Sequence, residues 1–237
     1  MDCFRSALDQ AGSARGTVVV IDVLRAFSTA AYAFGQGAPV IWLAGAVDEA
    51  LALRDRIPGA LVVGEVGGLP VPGFDFSNSP SELAGANLRG HPIIQRTSAG
   101  TQGVIRSPHG AEIWAASFCV AGATARALLA ARPGSVTFVL TGLGDGLQGD
   151  EDAACADYLE ALLRGRAPEP APYLARVAAS PSGRRFADPA EPDFPAADLD
   201  ACMQLDRFNF ALRAEVEAGR WRLRAMDHRT NVYDRAA

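Results

Sequence analysis

The chain has 237 residues, 49% hydrophobic and 21% charged, with a formal net charge of −5, which is enough chain and apolar content for one large globular domain or two small ones. All 22 Lys+Arg cations are arginine, so a Walker A loop, a Schiff-base amine and a kinase strand lysine are excluded. Net acidity without a basic stripe argues against a nucleic-acid partner, and no apolar stretch approaches the roughly 20 residues of a membrane span.

The four cysteines (Cys3, Cys119, Cys155, Cys202) show no C-x-x-C spacing and there is no H-E-x-x-H, so zinc and iron–sulfur sites lack ligands. The thiols are expected as small buried residues of a reducing compartment. The first residues lack a basic segment followed by an apolar one, and a cytoplasmic chain is expected.

After a polar opening, Thr17-Val18-Val19-Val20-Ile21 is a continuous β-branched run, which predicts a strand covered on both faces, as parallel sheets require. A helix is expected over 25–34, closed by Gly35 or Gly37, then a strand over 39–43, a helix over 47–54 and a strand over 60–63. This is the βαβ rhythm, whose right-handed crossovers favour a mostly parallel sheet. A Gly- and Pro-rich loop follows over 65–79. Ser79-Pro80-Ser81-Glu82 then reads as a capping box with proline at the first helical position, opening a helix to about Ala86. Strands are predicted over 92–96, 112–116 and 135–140, and helices over 120–131 and 152–163. The proline-rich stretch 168–195 is expected to be a loosely structured excursion, ahead of residues 199–216 and a last strand near 221–226. The expected class is α/β: one domain over 1–237, in one lobe or two, with a mostly parallel or mixed sheet and helices on both faces.

In such sheets the ligand crevice lies at the carboxyl ends of the strands. The residues there are Asp22, Arg25, Ser28 and Thr29; Glu65, Asp75 and Asn78; Arg96, Thr97, Ser98, Gly100 and Thr101; and Thr141, Gly142 and Gly144, leading to Glu151 and Asp152. If the strands are parallel, these groups share one crevice. Crowded carboxylates raise one another's pKa unless a cation sits between them. Oxygen ligands without a His or Cys cluster favour a hard ion, usually Mg²⁺ beside phosphate, so a phosphorylated small molecule with Mg²⁺ is the expected ligand. Structural roles compete at several positions: Asp22 as a helix N-cap, Arg25 as a surface ion-pair residue, Glu151-Asp152 as first-turn charge. Ser79 is assigned to capping, and His91, His109 and His228 are isolated.

The blocks Asp22-Val23-Leu24-Arg25-Ala26-Phe27-Ser28-Thr29, Gly64-Glu65, Gly73-Phe74-Asp75-Phe76-Ser77-Asn78-Ser79-Pro80, Arg96-Thr97-Ser98-Ala99-Gly100-Thr101 and Glu151-Asp152 with Cys155-Ala156 resemble, in order, those of the 2-phosphosulfolactate phosphatase (ComB-like) family. The 200–210 segment looks like its C-terminal block, and the resemblance spans about residues 16–227. It implies a three-layer α/β/α fold, Mg²⁺ dependence, and hydrolysis of the phosphate ester of a sulfonated hydroxy acid. Asp22, Asp75, Glu151 and Asp152 become candidate metal ligands, with Glu65 a further one. Arg25 would grip phosphate or sulfonate by a two-pronged hydrogen bond. Ser28, Thr29, Asn78, Arg96, Thr97, Ser98, Gly100 and Thr101 would contact the anion. Two positions depart from the family pattern, with Ala99 and Val120 standing where asparagines are expected.

The reaction expected from this resemblance is hydrolysis of a small (sulfo- or carboxy-) hydroxy acid phosphate, with Mg²⁺ and Arg25 countering phosphoryl charge while water attacks. Asp22 as a nucleophile is the variant, although the haloacid-dehalogenase pattern needs a second Asp where Leu24 stands. The rival reading is a catalytically degenerate relative acting as an anion-binding or regulatory protein. A homodimer stays open.

Overall fold

The computed structural model describes residues 1–108, 111–144 and 147–227, so His109 and His228 lie outside the described residues. β1 (Asp2–Ala7) and a 3₁₀ turn (Leu8–Ser13) precede β2 (Thr17–Ile21), whose five residues are all buried. α1 (Ala26–Gly35), β3 (Ile41–Leu43), α2 (Val47–Arg54) and β4 (Leu61–Gly64) follow as the alternation predicts. β5 (Phe76–Ser77) lies in the glycine-rich loop, followed by α3 (Pro80–Leu83), β6 (Ile93–Arg96), α4 (Gly100–Arg106) and β7 (Ile113–Ala116). Next come α5 (Ala121–Ala131), β8 (Ser135–Leu140), the antiparallel ribbon β9 (Leu143–Gly144) and β10 (Leu147–Gln148), and α6 (Asp150–Leu163). α7 (Ala171–Ala179), α8 (Pro181–Arg185) and α9 (Ala196–Cys202) lead to the hairpin of β11 (Phe210–Glu217) and β12 (Arg220–Asp227).

Ten strands form one mixed, curled sheet in the order β1-β8-β2-β7-β11-β12-β3-β6-β4-β5. Two parallel blocks, β1-β8-β2-β7 and β3-β6-β4-β5, flank the β11–β12 hairpin, which pairs antiparallel with β7 on one side and β3 on the other. The blocks therefore run in opposite senses, and in a flat sheet their carboxyl ends would lie at opposite edges. Twist removes that separation: the six steps from β2 to β4, at roughly 20–25° each, accumulate to roughly 120–150°. The sheet wraps α1, and the carboxyl ends of both blocks meet near the amino end of that helix.

α1 is buried from Ala26 to Phe34, as a helix apolar on every side must be. Its alanines (Ala26, Ala30, Ala31, Ala33) keep it slim enough to lie between Val18 and Val20 of one block and Ile41, Val63 and Ile93 of the other. On the outer face of the first block, Val19, Ile21 and Phe138 pack with α5 and α6. α2 covers the second block through Leu53, Val62 and Ile94, which completes helices on both faces.

Three segments differ from the sequence expectation. The stretch 168–195 is not loose: it holds α7 and α8, with prolines near the helix starts, where a missing N–H costs nothing. The polar opening is edge strand β1, paired in parallel with β8 along its whole length; its exposed side chains hide the strand pattern. α4 escapes prediction because Gly100 and Gly103 weaken its helical signal. Three of the four cysteines are buried free thiols, and no helix among the described residues is long and apolar enough to cross a membrane.

Candidate active site

Asp22 follows β2 directly and is 5% exposed; its Oδ1 accepts the Ala26 N–H that opens α1 at 3.0 Å. The capping and site readings of this residue therefore coexist. Asp152, on the first turn of α6, accepts the Val23 N–H on Oδ1 and the Gly142 N–H on Oδ2, both at 2.8 Å, with the Thr141 hydroxyl at 3.3 Å. It stitches the ends of β2 and β8 to α6. Glu151 beside it is buried, and its Oε2 has no hydrogen-bond partner. Burial pushes the Asp22 carboxyl up to about 6, with the charges of Glu65 and Glu151 adding to the rise. Burial, then Glu151 and Asp22, holds Asp152 well above the usual carboxylate range.

From the second block, Glu65 follows β4 and is 6% exposed. Its carboxylate accepts the backbone N–H groups of Gly68 and Ser98 and the Ser98 hydroxyl. Arg96 donates to the Glu65 carbonyl at 2.6 Å and to Ser98 Oγ at 3.3 Å, so it braces the Glu65 backbone. α4 begins hard against Asp22: a Cβ added at Gly100 would lie 2.5 Å from Ala26 Cβ and 2.7 Å from Asp22 Oδ2. Gly100→Ala is accordingly expected to lower stability by about 1–3 kcal/mol and to depress turnover by displacing Asp22. Thermal unfolding and phosphate release check both effects.

Asp22, Arg25, Glu65, Asn78, Ser98, Ser182, Arg185, Phe186 and Phe194 line one cavity of about 310 Å³. Asn78 is buried in its wall with Oδ1 unpartnered. Arg25 is 4% exposed and does not present the open fork expected of it. Nη1 donates to Asp198 Oδ2 at 2.8 Å and to the Asp193 carbonyl at 3.1 Å, and Nη2 to the Gly68 carbonyl at 2.9 Å. Its guanidinium also stands 5.4 and 5.0 Å from the rings of Phe186 and Phe194.

Asp198, fully buried on α9, is a site residue that sequence reasoning missed. Its Oδ1 takes the hydroxyls of Ser79 and Ser81, both at 2.6 Å, and the Ser81 N–H at 3.0 Å. Ser79 caps α3 as read, accepting the Glu82 N–H, whereas the Glu82 carboxylate turns to Ser77. Phe186, Phe194 and Arg185 escape the sequence reading because their segment reads as loose. A signal was present: Ser180-Pro181 repeats the Ser-Pro start of α3, and Ser180 Oγ accepts the Gly183 N–H at 2.9 Å.

Other predicted contacts are not brought into the cavity. Ser28 is fully buried and donates to the Val23 carbonyl at 2.8 Å; Thr29 is equally buried in α1. Thr97 and Thr101 bond to each other at the start of α4. Asp75 stands apart from the other acids as well. Its carboxylate accepts the Val62 N–H at 2.8 Å and lies 4.0 Å from Arg54, because β5 carries it along the outer edge of the sheet. His91 sits on the surface with Nδ1 2.9 Å from the Gly59 carbonyl.

Among the described residues, no three His, Cys, Asp or Glu side chains already converge on one point. The donor set still suits a hard cation: Asp22, Glu65, Glu151 and Asp152 are buried acids with mutually felt charge and one orphaned oxygen, Glu151 Oε2.

Comparison with known proteins matches this arrangement to a family. The family described as 2-phosphosulpholactate phosphatase matches residues 3–215. The chain is 32% identical over 202 residues to a probable 2-phosphosulfolactate phosphatase of Bacillus subtilis, covering 84% of this chain and 87% of that one. Proteins of the same name are 38% identical over 149 residues in Deinococcus radiodurans (61% of this chain, 62% of that one) and 40% over 147 residues in Carboxydothermus hydrogenoformans (62% and 60%). The chain belongs to the 2-phosphosulfolactate phosphatase family of phosphoric monoester hydrolases.

Proposed function

We propose that the chain is a Mg²⁺-dependent phosphatase acting on the phosphate monoester of a small sulfonated or carboxylated hydroxy acid, 2-phosphosulfolactate or a close analogue. The observation that carries this reading is the cluster of four buried acids, of which Asp22 and Glu65 line the cavity and Glu151 keeps an unpartnered oxygen. Asp22, Glu65, Glu151 and Asp152 would hold the ion, which when bound supplies positive charge against the phosphoryl oxygens. Asp75, on the outer edge, is left out of that set.

The chain's own groups do the rest. Arg25 acts through position: tied to Asp198 and the Gly68 carbonyl, it anchors the Val66–Leu69 turn beside the cavity. Asn78 Oδ1, an unpartnered acceptor in the cavity wall, suits a cation or a hydroxyl donor of the bound ester. Phe186 and Phe194 form a dry wall that strengthens the electrostatics within. Water is favoured as nucleophile over Asp22, whose Oδ1 is held by Ala26 N–H and whose Oδ2 faces Gly100.

The test is phosphate release from a panel of phosphorylated hydroxy acids, with Mg²⁺ and after EDTA. Metal-dependent turnover is expected. Full activity in EDTA would remove the metal assignment, and tight anion binding without turnover would establish the binding-protein reading instead.

A further inference from the structure

We propose that Arg185 recognises the second anionic group of the substrate, the sulfonate or carboxylate beside the phosphate, and that Glu191 holds Arg185 in place until substrate enters. The inference rests on the phosphatase reading and adds to it the residue that selects a doubly charged substrate.

A chain without lysine must meet a substrate anion with arginine, metal, hydroxyl or amide. Two arginines line the cavity. Arg25 is buried with both terminal nitrogens engaged, and freeing its fork would strand a buried charge on Asp198. Arg185 is the reverse case. Its side chain is 43% exposed and, among the described residues, its ion-pair partner is Glu191, itself 37% exposed, at 3.1 Å. Such a solvent-screened pair is weak and exchanges readily for an incoming anion. The guanidinium lies 3.8 Å over the Phe194 ring, and its Nε and Nη2 donate to the two Glu191 oxygens at 3.3 and 3.1 Å, so an incoming anion takes the two-pronged place that Glu191 holds.

Position supports the assignment. Arg185 lines the same cavity as Asp22 and Glu65, so one ligand can place its phosphate beside those acids and a second anion at Arg185. Without Arg185, a sulfonate or carboxylate would enter a cavity whose remaining arginine is already neutralised by Asp198. Glu191 then sets a threshold: an exposed carboxylate that must be displaced lowers affinity for every anion and favours ligands placing a full charge at Arg185.

Arg185→Ala, Arg185→Lys and Glu191→Gln are compared with wild type on 2-phosphosulfolactate, 2-phosphoglycerate and glycerol 2-phosphate, with Arg184→Ala as a neighbouring-charge control. Arg185→Ala is expected to raise KM about tenfold or more on the two acids and not on glycerol 2-phosphate, with Arg185→Lys recovering part of the loss. Glu191→Gln is expected to lower KM on the same two acids. A clearly larger effect on 2-phosphosulfolactate than on 2-phosphoglycerate identifies the sulfonate as the bound group; equal effects identify the carboxylate, which both acids carry. Equal KM changes on all three esters, or the same change in Arg184→Ala, overturn the inference while leaving the phosphatase reading intact. Calorimetric binding of 3-sulfolactate decides separately from turnover: weaker binding to Arg185→Ala supports the subsite even if no ester is hydrolysed, and unchanged binding overturns it.

Discussion

Asp22→Asn is expected to abolish phosphate release while making the metal-free protein more stable at neutral pH. The two effects share one cause. Asp22 is buried beside Glu65, Glu151 and Asp152, and its carboxyl is raised from 3.8 to about 6, chiefly by burial. A raised carboxyl favours the fold fully below the unfolded pKa of 3.8, and that advantage is lost as pH rises through about 6. At pH 7 and above the charged folded state therefore carries a penalty on the order of 3 kcal/mol. Asparagine keeps an oxygen for the Ala26 N–H and removes the charge. The gain in melting temperature should be largest in EDTA near pH 8 and vanish by about pH 4, while Mg²⁺ should raise the melting temperature of the wild type more than that of the variant. A gain independent of pH, or retained turnover, would sink this account of Asp22. Unfolding scans across that pH range, paired with phosphate assays, read both halves.

Asp198→Ala is expected to lower the free energy of unfolding by about 3–5 kcal/mol, since it leaves a buried arginine without its counter-charge. Asp198 is 0% and Arg25 4% exposed, 2.8 Å apart, and the same carboxylate also satisfies Ser79 and Ser81. Its loss undocks α9 from α3 and frees the segment carrying Phe194, so turnover falls with stability. Replacing both partners by apolar residues, Arg25→Met with Asp198→Leu, should recover much of the stability and none of the activity. Chemical denaturation of the two single variants and the double variant measures the coupling. A cost below about 1 kcal/mol for Asp198→Ala would show the pair to be no stronger than a surface ion pair.

These residues also show how far a linear reading reaches. Asp22, Glu65, Glu151 and Asp152 are legible because each stands immediately after an apolar run or opens a helix, positions set by local periodicity. Ser28, Thr29, Thr97 and Thr101 stand at similar positions yet turn into α1 or bond across the start of α4, since sequence places a residue near a strand end without aiming its side chain. Asp75 looked like a site acid from its block and serves the sheet edge instead.

By itself the sequence determined the alternation from β2 to β8 apart from β5 and α4, the buried strand β2, the Ser79 cap and the exclusion of every lysine-based mechanism. Those features depend on residue type and short spacing. The tertiary structure decided what meets what. A C-terminal hairpin, remote in sequence from both parallel blocks, joins them, and accumulated twist brings Glu65 to Asp22. Asp198, 173 positions from Arg25, closes that arginine's fork, and helices in a proline-rich stretch bring Arg185 to the cavity. Pairings at such separations are set by sheet twist and packing around α1, neither of which leaves a periodic trace in the chain.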